Sequence, residues 1–126
     1  ERSSRINSTW GGNLVDMVRA TRVLEVIRDD NLVDNAAAMG QRWLDGMHSI
    51  AKNHEIIENV RGLGLIMGFC VPSGAVRDAL LAKMSENGLL GLSCGDRTVR
   101  FRPHLAVTET DVDLCLELTE KSLRNL

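Results

Sequence analysis

Ile56-Ile57-Glu58-Asn59-Val60-Arg61-Gly62-Leu63-Gly64-Leu65-Ile66-Met67-Gly68-Phe69-Cys70-Val71 is the stretch on which the fold turns. Ile56 to Val60 and Leu65 to Val71 read as two short strands. Arg61-Gly62-Leu63-Gly64 separates them, and its glycines suit a bulge or a tight reversal. Pro72-Ser73-Gly74 ends the second strand.

Upstream the period changes from two to 3.6. Glu1 to Trp10 is a polar lead-in, and Gly11-Gly12-Asn13 breaks the chain and supplies an N-cap. Leu14 to about Arg28 is helical, with Met17, Ala20, Leu24 and Ile27 on one face. Val15, Val18, Val23 and Val26 widen that face, and a helix apolar on more than one side needs cover from beyond a small domain. Asp30-Asn31 punctuates. Leu32, Ala36, Met39, Trp43, Met47 and Ile50 then mark a second helix, with Asp34, Gln41, Asp45 and Lys52 on its polar side.

Downstream, Ala75 to Asn87 is a third helix facing inward through Val76, Leu80 and Met84, and Gly88 stands where a positive φ closes it. Leu89 to Leu92 and Thr98 to Phe101 read as strands around a Gly95-Asp96-Arg97 turn. Thr108-Glu109-Thr110-Asp111 has the form of a capping box opening a last helix to about Arg124. Val112, Cys115, Leu116 and Leu123 line its buried side. The expectation is α+β: a small, mostly antiparallel sheet covered on one face by helices, in the order α-α-β-β-α-β-β-α, residues 1–126 forming a single domain.

Composition removes several function classes. The 126 residues carry a net charge of −2 with no basic run, which excludes a nucleic-acid interface of the usual kind. The longest nearly apolar stretch, Leu63 to Val71, is far short of the ~20 residues a membrane span needs. Cys70, Cys94 and Cys115 are odd in number and widely spaced, matching neither a disulfide framework nor a zinc site. Reduced, buried or half-buried thiols are expected, and with no apolar leader they point to the cytoplasm. Aromatic residues make up 3%, which weighs against a self-contained cofactor site. Glu1 in place of Met is what a trimmed or excised piece would show.

Two segments carry candidate chemistry. In Asn7-Ser8-Thr9-Trp10-Gly11-Gly12-Asn13, hydroxyls and glycines precede a helix start, a setting that favours a phosphate, although such a segment is more often only a capped turn. Arg100 lies in Val99-Arg100-Phe101-Arg102-Pro103-His104-Leu105, and a strand arginine is more often simply exposed.

Taken together, four segments resemble class III, fold-type I, pyridoxal-phosphate aminotransferases, in the family's order and over essentially the whole chain. Arg5-Ile6-Asn7-Ser8-Thr9-Trp10-Gly11-Gly12-Asn13 is similar to its Ser-Thr-Phe/Trp-Gly-Gly-Asn stretch. Val60 to Gly68 is similar to its Val-Arg-Gly-x-Gly-Leu-Met-x-Gly hairpin, Val99 to Leu105 to its Arg-Phe-x-Pro-Pro-Leu strand, and Thr108 to Asp113 to the start of its last helix. The matching part is the C-terminal small domain. Within the family, Asn-Ser-Thr-Trp and Arg-Phe-Arg-Pro are most similar to the L-lysine 6-aminotransferases, with the ornithine, acetylornithine and 4-aminobutyrate enzymes near alternatives.

The resemblance implies a dimer with its active site at the subunit boundary. Thr9, assisted by Ser8, would bind the cofactor phosphate of the partner subunit. Arg100 would grip a substrate carboxylate, which a guanidinium fork does through two parallel charge-assisted bonds. Three departures stand out: Leu63 for a usual basic residue, Leu14 for a frequent Pro, and His104 for the second Pro of Pro-Pro-Leu, which loosens the chain after Arg100.

Transamination needs a Schiff-base lysine and a cradle for the cofactor ring. In this family both belong to the large domain. Lys52, Lys83 and Lys121 match no cofactor-lysine motif, and no other catalytic constellation stands in. The expectation is a fragment or stand-alone remnant, inactive alone and with no pyridoxal phosphate bound. Its partners would be a second copy, a full-length aminotransferase or the missing large domain, with no nucleic acid and no membrane. The alternatives are a self-associating assembly module or an anion binder using Ser8, Thr9 and Arg100.

Overall fold

The computed structural model describes residues 9–126. The chain forms two compact units, Glu1–Leu32 and Val33–Leu126. The first is built on α1 (Leu14–Asp29). Asn13 caps it as expected, its side-chain oxygen accepting from the backbone N–H groups of Val15 and Asp16 at 2.9 and 3.4 Å. Asp16 in the first turn and Arg28 in the last both complement the helix dipole. Asn31 ends the segment at φ 51°, a left-handed conformation that asparagine tolerates. No residue of α1 is buried.

The second unit contains α2 (Leu32–Asn53) from Val33 onward, β1 (Glu58–Leu63), β2 (Ile66–Cys70), α3 (Gly74–Glu86), β3 (Leu92–Cys94), β4 (Thr98–Phe101) and α4 (Glu109–Arg124), so the described residues follow the anticipated α+β order. The sheet runs β1-β2-β4-β3, each neighbouring pair antiparallel. Its core is made by Met39, Trp43, Met47 and Ile50 of α2, Leu80 and Met84 of α3, and Val112, Cys115 and Leu123 of α4, packed with Met67, Phe69, Val99 and Phe101 of the sheet. Trp43 and Phe101 lie 5.4 Å apart, and Phe69 and Phe101 6.4 Å, both pairs tilted.

The bounds of β1, β2 and β3 differ from expectation, and two of the differences matter. Arg61, Gly62 and Leu63 do not separate the strands; they belong to β1 and pair with Gly68, Met67 and Ile66. Gly64, at φ +53°, and Leu65 make the reversal, and the Leu65 side chain is spent in the core. The irregularity assigned to the glycines falls instead between Glu58 and Arg61, where Asn59 takes φ 49°. The third strand begins at Leu92 rather than Leu89. Leu89 is consumed by the end of α3: its N–H donates to the Met84 carbonyl at 2.8 Å, Gly88 N–H donates to Ser85 at 3.0 Å, and Gly88 sits at φ +86°. That is a Schellman closure.

The capping box of α4 forms as read, with Asp111 accepting from the Thr108 backbone N–H and hydroxyl at 2.9 and 2.6 Å. A fork from Arg42 to Asp113, at 2.8 and 2.7 Å, ties α2 to α4. Two polar residues of α4, Thr119 and Ser122, are fully buried. Their hydroxyls donate back to the Cys115 and Leu118 carbonyls at 2.7 Å, and Ser122 also accepts from Asn87 at 2.9 Å. Among the described residues no helix is long and apolar enough to cross a membrane, and no cluster of metal-ligating side chains occurs.

Gly40 sets how closely α2 approaches the β1–β2 turn, because a Cβ there would collide with the Gly64 carbonyl. Gly40→Ala is expected to cost about 1–3 kcal/mol, read as a lower urea midpoint. The hydrogen bonds from Thr108 hold Asp111 below the usual carboxylate range, and the Arg42 fork does the same for Asp113. A depressed pKa contributes stability above the ordinary value of 3.8 that is lost as pH falls through the lowered one. Acid titration by circular dichroism should therefore show a loss of helix below that value, shallower in Asp111→Asn than in the parent chain.

Candidate functional site

The period-two alternation of β4 separates structure from chemistry. Val99 and Phe101 are buried beneath the helices, so Thr98 and Arg100 stand on the opposite, open face of the sheet. The register brings others to the same face: Gly68 of β2 lies opposite Arg100 and Cys70 opposite Thr98. On the far side Leu92 and Cys94 of β3 match the same two positions. Arg61 of β1 pairs with Gly68. The result is a cavity of about 430 Å³ lined by Arg61, Gly68, Thr98, Arg100 and Cys94, with Leu63 and Ile66 at its apolar side.

Arg100 is half-buried, and its Nε is fully buried without a hydrogen-bond acceptor among the described residues. A buried guanidinium N–H left unpaired is costly, and a carboxylate is the acceptor its geometry fits best. The loop after β4 is held more firmly than His104 in place of a proline implies. Asn35 of α2 donates through Nδ2 to the Leu105 and Val107 carbonyls at 2.8 and 3.0 Å, and Val107 N–H donates to the His104 carbonyl at 3.3 Å. His104 itself is exposed. Asn35 was not singled out in the sequence, because its partners lie 70 and 72 residues away.

Arg61 is a second functional candidate the sequence reading passed over. Its guanidinium donates to the Asn59 carbonyl at 2.9 Å, to the Cys70 sulfur at 3.5 Å and to the Thr98 hydroxyl at 3.3 Å. The Thr98 hydroxyl lies 3.4 Å from the Cys70 sulfur. That contact, with Arg61 adding to it against the effect of burial, holds the Cys70 thiol below its usual pKa. Cys115 is the reverse case, its thiol pushed up to about 12 by burial among apolar groups.

Of the phosphate candidates, Ser8 lies outside the described residues. Thr9 is exposed, in a turn ahead of α1 where Asn13 N–H donates to the Trp10 carbonyl at 3.2 Å. Thr9 belongs to the first unit and Arg100 to the second. Lys52, Lys83 and Lys121 lie on α2, α3 and α4, and Lys83 is paired with Glu86 at 2.8 Å.

The three thiols differ in access, Cys94 being exposed and Cys70 and Cys115 buried. Cys94 thus departs from the expectation of buried or half-buried thiols. Iodoacetamide labelling followed by mass spectrometry should modify Cys94 first and Cys115 last, the latter only on unfolding.

Comparison with known proteins places this geometry. The class-III aminotransferase family matches residues 2–123. The L-lysine-epsilon aminotransferase of Amycolatopsis lactamdurans is 46% identical over 123 residues, covering 96% of this chain and 27% of that enzyme. The enzyme of the same name from Streptomyces clavuligerus is 41% identical over 123 residues, with 96% and 27% covered. Among solved structures, lysine aminotransferase from M. tuberculosis in the internal aldimine form superimposes with a TM-score of 0.89 at 37% identity, over 98% of this chain and 28% of that one. Acetylornithine aminotransferase from Elizabethkingia anophelis does so with a TM-score of 0.91 at 25% identity, over 100% and 34%. The chain thus spans about a quarter of the length of the curated relatives it matches, and with a family match over nearly all its residues, it belongs to the class III aminotransferases.

Proposed function

We propose that this chain is the small domain of a pyridoxal-phosphate-dependent aminotransferase resembling L-lysine 6-aminotransferase, and that its contribution is to bind the substrate carboxylate through Arg100. The observation that carries this reading is the open sheet face, where Arg100 presents a guanidinium whose buried Nε has no acceptor among the described residues. The cofactor, when bound to a complete enzyme of this family, supplies the electron sink for transamination. This chain contributes no covalent anchor for it, so it is inactive alone. Ser8 and Thr9 are the residues proposed to meet the cofactor phosphate across a dimer, in a cytoplasmic enzyme.

A second reading concerns assembly and rests on α1. Leu14, Val15 and Val18 are each more than 70% exposed, and Leu24 is 66% exposed. Apolar patches of that kind seek a partner. A homodimer formed through this helix, or docking on a full-length aminotransferase or the missing large domain, would cover it.

Mixing the purified chain with pyridoxal phosphate is expected to give no Schiff-base absorbance band and no transaminase activity. A band abolished by substituting Lys52, Lys83 or Lys121 would refute the proposal. Size-exclusion chromatography with light scattering should give a dimer mass for the chain, shifted toward monomer in Val15→Glu/Val18→Glu; a monomer mass for the parent chain at high concentration would remove self-association.

A further inference from the structure

We propose that the cavity bounded by α2, the chain following β4 and the N-terminal half of α4 is a further ligand site, whose guest is a small arylalkyl carboxylate. It has a volume of about 420 Å³, within the range of small-molecule sites, and shares no lining residue with the cavity around Arg100. It does not depend on the role given to Arg100.

The inner wall is apolar and aromatic. Trp43, Phe101, Val112 and Cys115 are all buried and all line this space. The Trp43 and Phe101 rings stand 5.4 Å apart, tilted by 39°. A guest ring entering beside them gains edge-to-face contacts that an alkyl chain cannot make. The Cys115 sulfur adds a polarisable contact, and burial keeps that thiol uncharged by pushing its pKa up to about 12. At the mouth Leu90 is 83% exposed and Leu89 half-buried, and a guest lying over them removes apolar surface from water.

The ionisable side chains of the cavity decide what the other end of the guest must be. Besides Cys115 they are Arg102, His104 and Asp111, all three exposed. Asp111 is already committed: its Oδ2 accepts from the Thr108 backbone N–H and hydroxyl, closing the capping box of α4. Arg102 forms no hydrogen bond or ion pair among the described residues, so its whole guanidinium fork is open to an acceptor. A carboxylate takes two parallel charge-assisted bonds from such a fork, whereas an ammonium meets a like charge there. His104, two residues on, adds an imidazole that can donate to the same anion. An aromatic interior joined to an uncommitted cation at the rim thus sets the class of guest.

The test is an NMR titration of the chain with 4-phenylbutyrate, 4-phenyl-1-butanol and 4-phenylbutylamine, which share one body and differ in charge. The chain has two tryptophans, Trp43 in the cavity and Trp10 ahead of the exposed helix α1, so their indole N–H signals tell the two places apart. The Trp43 Nε1 has no acceptor among the described residues, which leaves its signal sensitive to what enters. Phenylbutyrate is expected to shift the Trp43 signal saturably and to bind about fivefold more tightly than the alcohol, with the amine weakest. Arg102→Gln, a change at an exposed position, should bring phenylbutyrate to the level of the alcohol and leave the alcohol unchanged. Leu90→Asp should weaken phenylbutyrate more than the alcohol, and Arg100→Gln should alter neither. A Trp43 signal that none of the three moved, or a shift confined to Trp10, would remove the site. Equal binding of acid, alcohol and amine, or a preference for the acid that survived Arg102→Gln, would overturn the ligand class.

Discussion

Phe101 packed against Trp43 and Phe69 is the contact from which the arrangement of this domain follows. Once Phe101 and Val99 are drawn under the helices, the pleat of β4 leaves Thr98 and Arg100 nowhere to go but the other face. The antiparallel register with β2 then sets Gly68 and Cys70 beside them, and the register of β1 adds Arg61. A slip of one residue would bury the arginines and expose the aromatic rings. Core packing and site chemistry are therefore two sides of the same strand.

Two further constraints keep that face in place. Gly40 lets α2 approach the Gly64 turn backbone to backbone, which sets the height of the helix above the hairpin. Asn35, a turn earlier on α2, reaches the carbonyls of Leu105 and Val107 and holds the chain that follows Arg100. A helix on the covered side of the sheet thus determines how firmly an arginine on the open side is held. The tie made by Arg42 to Asp113 on α4 belongs to the same clamp, although it is exposed and its net worth is small.

The unit bearing α1 has a different character. Its cap, its dipole-compatible charges and its asparagine stop are locally complete, yet its apolar residues lie exposed. Local signals suffice to make a helix and do not supply the surface it packs on.

Much was legible without coordinates. The helices, the capping box at Thr108, the closure at Gly88 and the element order all rest on periodicity and on caps, which are properties of neighbouring residues. Family membership was legible from four ordered segments. The exact reversal at Gly64-Leu65, the start of β3 at Leu92, the burial of Thr119 and Ser122 and the contacts of Asn35 and Arg61 were not. Each is set by partners distant along the chain: a cross-strand register, a helix seated on a turn, a side chain reaching a loop 70 residues away. The amino-acid order alone determines which segments coil and which extend, because those choices are made among near neighbours; which arginines share a cavity was decided only when tertiary packing chose the register.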